Sequence, residues 1–72
     1  MMTINEFIEH LKHNTLGLQI CEDNEQSKKE EIVFNGCVGS WKNWKDKCLF
    51  GNMIIDHIKP FGKKGFIIIY KL

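Results

Sequence analysis

A chain of 72 residues, 43% hydrophobic and 26% charged with a single proline, has room for one domain over residues 1–72 and is too apolar for a disordered tail. The formal net charge of +1 argues against bulk electrostatic capture of duplex DNA and leaves a local basic face as the alternative. Three widely spaced cysteines are an odd count for a secreted disulfide framework, which makes a reduced, cytoplasmic setting the expectation.

The first element is a helix from about residue 3 to 13. Thr3-Ile4-Asn5-Glu6 has the form of a capping box, and Ile4, Phe7, Ile8 and Leu11 recur at helical spacing as one apolar stripe. His10, Lys12 and His13 suit the negative end of the helix dipole, and Asn14 suits a left-handed stop. The stretch is acidic and amphipathic, without the basic start and apolar run of a signal peptide. No apolar stretch of the sequence is long enough to span a bilayer.

Leu16, Leu18 and Ile20 alternate with Gly17, Gln19 and Cys21, which predicts a half-buried strand. The polar tract Glu22–Glu30 reads as a loop. Ile32, Phe34, Gly36 and Val38 alternate next and predict a second strand, hairpinned to the first, with Gly36 and Gly39 marking a bulge or its end. Residues 41–48 suit a short helix or an ordered loop. Met53–Lys59 predicts a third strand, Pro60–Gly65 a turn, and Phe66–Lys71 a fourth strand.

In that last strand Phe66, Ile68 and Tyr70 point one way and Ile67 and Ile69 the other, so both faces call for burial. The helix can cover one face. The tryptophan segment, a partner or a second copy in a homodimer would cover the other, since Phe66–Tyr70 left bare would aggregate. The expected fold is therefore α+β: an N-terminal helix on a four-stranded antiparallel sheet of two hairpins, with residues 41–48 bridging them.

Charge is divided along the chain. Residues 1–38 hold three lysines against seven acidic residues, and residues 39–72 hold seven lysines against two. Both tryptophans lie in the basic half, at Trp41 and Trp44, among Lys42, Lys45 and Lys47. Indoles interleaved with lysines suit an anionic or aromatic partner, and Lys59, Lys63 and Lys64 of the neighbouring hairpin extend the basic set. The opposing interpretation is that the rings plug the sheet while the lysines stay in water. Glu22, Asp23 and Glu25 form an acidic stretch that serves either as a solvated loop or as a second contact with a basic partner.

Other chemistry is thinly signalled. Among the cysteines and histidines His10 and His13 are the only close pair, and the cysteines lack the paired spacing of zinc sites, so no metal or cofactor is expected. Cys48, flanked by Lys45 and Lys47, is the one credible nucleophile. Asp56 and His57, adjacent on a strand, are expected to face opposite ways and form no dyad. There is no glycine-rich nucleotide loop and no paired-carboxylate pattern, so the chain is read as non-enzymatic.

In outline the chain resembles the small accessory proteins of bacteriophages and mobile elements of low-GC Gram-positive bacteria. The resemblance runs through Met2-Thr3-Ile4-Asn5-Glu6-Phe7-Ile8, Glu31–Gly36, Ile54–Ile58 and Phe66–Tyr70, while Trp41–Cys48 is more aromatic and basic than that outline. It implies membership of a pool that includes anti-CRISPR inhibitors and other counter-defence proteins, and it carries over no functional residue. The leading expectation is a non-catalytic inhibitor that occupies a surface on a host defence complex. The alternative is a nucleotide or single-stranded nucleic-acid binder that stacks bases on Trp41 and Trp44.

Overall fold

A computed structural model describes residues 1–71. The elements in order are α1 (Ile4–Glu9), β1 (Gly17–Asn24), β2 (Lys29–Cys37), α2 (Val38–Lys42), α3 (Lys47–Phe50), β3 (Ile55–Pro60) and β4 (Gly65–Lys71). Among them no helix is long and apolar enough to cross a membrane.

The capping box forms as its sequence dictates. The Glu6 backbone N–H donates to Thr3 Oγ1 at 3.1 Å and the Thr3 N–H donates to Glu6 Oε1 at 3.1 Å, so two orphan donors are satisfied reciprocally. The helix stops at Glu9, short of the expected His13. His10 and Leu11 donate to Phe7 and Ile8, bonds of the tighter three-residue kind that close a helix, and Asn14 beyond them accepts from Gly39. The chain leaves the helix because this connection is anchored to α2.

Both strands of the first hairpin are longer than alternation suggests. Glu22–Asn24 and Lys29–Glu30, read as loop, are paired strand, and only residues 25–28 form the turn. Backbone pairing needs no apolar side chain, so polar residues extend a ladder past the end of the core. Asn24 Oδ1 accepts from the Gln26 and Ser27 N–H groups, a local turn bond, and Lys28 takes a φ of 55°. Val38, expected to end β2, instead opens α2.

The sheet is mixed, which corrects the antiparallel expectation. Strand order is β2-β1-β4-β3, and each hairpin places its more buried strand in the middle, where β1 and β4 run parallel from Gly17↔Gly65 to Asp23↔Lys71. The cause is the crossover. The α2–α3 segment carries the chain from one end of the sheet back to the other, so β3 descends and β4 rises beside β1. Thr3 bridges Ile54 at the start of β3, fixing the N-terminus to that end.

The register puts Leu18, Ile20, Phe66, Ile68 and Tyr70 on one face. Ile4 and Ile8 of α1 and Val38 and Trp41 of α2 pack on it with Leu18, Ile20, Ile68 and Tyr70 as one buried cluster. The tryptophan segment thus shares the helix face and does not cover the other one. On that other face Ile69 and Cys21 are nevertheless 0% and 5% exposed, and Ile67 is half-buried. Glu30 and Lys59, from the two edge strands, meet at 3.8 Å across the two central strands.

Candidate functional site

The segment singled out by sequence is largely interior. Trp41 is 1% exposed and donates its indole N–H to Asn5 Oδ1 at 3.3 Å, so the ring's one polar atom is satisfied. Trp44 is half-buried, stacked on Phe50 with centroids 5.7 Å apart and planes 8° from parallel. Phe34 lies edge-on to Trp41 at 5.3 Å and tilted to Trp44 at 5.1 Å, while Phe50 reaches Tyr70. The i, i+3 spacing does place both indoles together, 5.4 Å apart, facing the sheet. Trp41, named as a contact residue from sequence, is therefore a core residue, packed with Ile4 and Ile8 of α1 and Leu18, Ile20, Ile68 and Tyr70 of the sheet, where its large apolar ring leaves water.

Two of the surrounding lysines hold the helix ends. Lys42 Nζ donates to the Leu11 carbonyl and to Asn14 Oδ1, each at 3.4 Å, just beyond the end of α1. Lys47 Nζ donates to the Lys42 carbonyl at 2.8 Å, closing α2. Ammonium groups on the last carbonyls of a helix satisfy orphan acceptors and oppose the dipole. These bonds make α1, α2 and α3 one unit.

Between the three helices lies a cleft of about 170 Å³ lined by Asn5, Ile8, Glu9, Trp41, Lys42 and Lys47. It unites two of the expected cations with the edge of Trp41. Asn5 and Glu9 were not singled out by sequence. Their signal is positional: each follows a buried isoleucine of the α1 stripe by one residue, at the boundary between core and solvent.

The other expected contacts lie elsewhere. Lys45, Lys63 and Lys64 are exposed, form no ion pair among the described residues and do not line the cleft. Lys63 and Lys64 occupy the β3–β4 turn, where the Lys64 carbonyl accepts from Gly17. Glu22, Asp23 and Glu25 sit at the opposite end of the sheet. There the Tyr70 hydroxyl donates to Glu22 at 3.0 Å and Lys71 pairs with Glu25 at 2.9 Å, so two of the three carboxylates are engaged internally.

One contact overturns a sequence argument. Asp56 Oδ2 and His57 Nδ1 are 2.7 Å apart although the residues are adjacent on a strand. The register slips between Ile55 and His57, leaving Asp56 without a partner on β4, and such a bulge cancels the usual alternation. Asp56 also lies 3.9 Å from Lys71, which links the pair to Glu25.

The cysteines are free and differ in setting. Burial raises the Cys21 thiol pKa, with Glu30 adding to the effect and Lys59 opposing it. Cys37, the residue before α2, approaches Ser40 Oγ at 3.3 Å, and hydrogen bonding from the Ser40 side chain and backbone lowers its thiol pKa. Cys48 is exposed. His10 is exposed just after α1 and His13 lies beyond it, so they are not one helical turn apart. No three His, Cys, Asp or Glu side chains are grouped as metal ligands among the described residues.

Fold and site together define a small α+β domain with a mixed four-stranded sheet and a charged cleft between short helices. No family model, curated protein or solved structure matches the chain.

Proposed function

We propose that the chain is a non-catalytic binding protein of the phage or mobile-element kind, inhibiting a host defence complex in the cytoplasm by occupying a surface on it. The observation that favours a protein partner over a nucleotide is the packing of the indoles. Base stacking needs a free aromatic face. Trp41 is buried and Trp44 lies against Phe50, so neither ring offers the platform that the nucleic-acid alternative requires. What remains accessible is charge: Lys42 and Lys47 in the cleft, with exposed Lys45, Lys63 and Lys64 as outlying cations. Trp41 and Trp44 support this surface from beneath. Glu22, Asp23 and Glu25 form a second, acidic contact at the far end. The case for a homodimer weakens, since Ile69 is fully buried within one copy.

The test is affinity capture on the immobilised chain from nuclease-treated bacterial lysate, paired with phage plating on cells whose defence system is active. A defence-complex subunit is expected to be retained, and plating to rise when the chain is expressed. The variant Lys45→Glu/Lys63→Glu/Lys64→Glu, altered only at exposed positions, should weaken both effects. Retention of nucleic acid alone, with plating unchanged, would overturn the reading.

A further inference from the structure

We propose that the cleft between α1 and the α2–α3 segment receives one carboxylate side chain, aspartate or glutamate, from the protein partner. The inference rests on the protein-binding reading above and names what that surface recognises. Three observations converge on it.

The first is donor capacity. An ammonium group carries three N–H donors. Lys42 commits two, to Leu11 and Asn14, and Lys47 commits one, to the Lys42 carbonyl, so donors remain on both. The same bonds hold the two stems in place, which lowers the ordering cost of binding. The second is charge. Glu9 also lines the cleft and is paired with neither lysine among the described residues. Two cations against one carboxylate leave one excess positive charge, which suits a monoanion better than a phosphate dianion.

The third is size. At about 170 Å³ the cleft is smaller than pockets that enclose a cofactor-sized ligand, roughly 300–1,000 Å³, yet it admits a single side chain. Ile8 and Trp41, each 1% exposed, form a closed floor, so a ligand meets the polar side chains around it. Charge-assisted hydrogen bonds to a carboxylate are stronger than neutral ones, so the group would fix orientation as well as affinity.

The experiment titrates the isotopically labelled full chain with N-acetyl-glutamic acid amide, its glutamine counterpart and inorganic phosphate, following amide and indole N–H resonances. Saturable shifts of the Trp41 indole N–H and of Asn5 and Lys47 are expected with the glutamic acid compound alone, at a Kd on the order of 10 mM. Lys47→Met should weaken that binding about tenfold or more. Should Lys47→Met fail to fold, Glu9→Gln decides, because removing the like charge should tighten binding severalfold. No saturable shift, equal shifts with the neutral compound, or tighter binding of phosphate would overturn the proposal. The probe needs no partner, so failed capture from lysate leaves this result standing. Capture that survives Lys47→Met would instead move the partner away from the cleft while sparing the broader function.

Discussion

Lys59 and Glu30 bring their charged groups to within 3.8 Å of each other although they stand on opposite edges of the sheet, in β3 and β2. The two central strands lie between, and both residues act on the thiol of Cys21. Each side chain is about half exposed, so the ion pair itself contributes at most about 1 kcal/mol. Its larger effect is cover. Long charged side chains lay their methylene stems over apolar surface while the heads stay in water.

Lys59→Ala should therefore expose Cys21 more than it destabilises the fold. Thiol labelling resolved by site, for example by mass spectrometry of peptides, should show Cys48 reacting at once and Cys21 slowly in the native protein. The substitution should speed Cys21 several-fold with little change in thermal midpoint. Unchanged Cys21 labelling would mean that the strands alone protect it.

Gly51→Ala is expected to cost about 1–3 kcal/mol, seen as a lower denaturation midpoint. A Cβ at Gly51 would collide with the Asn5 side chain, and the Asn5 N–H donates to the Gly51 carbonyl at 2.9 Å, so the backbones cannot separate freely. Asn5 would have to turn away from Trp41, leaving the indole N–H unpaired in the core. Asn5→Ala alone should cost a similar amount, and the two changes together little more than either, because both unpair the same indole N–H.

Trp41→Ala should destabilise by about 3–5 kcal/mol, the range for truncating a large buried aromatic. A domain of this size has little reserve, so much of the variant should be unfolded at 37 °C. Trp44→Ala, at a half-buried position, should cost less and remain folded. Circular dichroism melts of the two variants check the order. Native tryptophan emission should be blue-shifted, moving to the red only on unfolding.

Stability should fall in alkali. Burial first, and the bond and charge of Glu22 second, push the Tyr70 pKa well above its ordinary value. A raised pKa means that the folded state holds the proton more tightly than the unfolded one. The corresponding stability is intact below about pH 10, the unfolded tyrosine value, and is lost as pH rises beyond it. Lys71, raised chiefly by its bond to Glu25, acts in the same direction. Urea midpoints measured from pH 8 to 11.5 should decline most steeply above pH 10. Tyr70→Phe should flatten that decline without abolishing it.

Much of the fold was legible because short-range patterns carried it. The capping box at Thr3 and Glu6 formed as written, and Leu18, Ile20, Ile68 and Tyr70 took the core-facing positions that alternation assigned them. What misled was treating polarity as the absence of structure: Glu22–Asn24 and Lys29–Glu30 pair in the sheet because the ladder is made by backbone. The candidate site was half legible. Lys42 and Lys47 do share a cleft, but Asn5 and Glu9 reach it from residues far away in sequence, and no local pattern links them.

By itself the sequence determined that an N-terminal helix and four strands form, though not their bounds, and which residues are too apolar to remain in water, because both follow from local propensity and side-chain transfer energy. Only the tertiary structure decided direction and company. Whether β4 runs with or against β1 depends on how the α2–α3 crossover returns the chain. Whether Trp41 faces a partner or the core depends on what α1 leaves uncovered. The Asp56–His57 contact depends on a bulge in β3 where it pairs with β4. Each is set by contacts between residues distant along the chain, whose balance no local window contains.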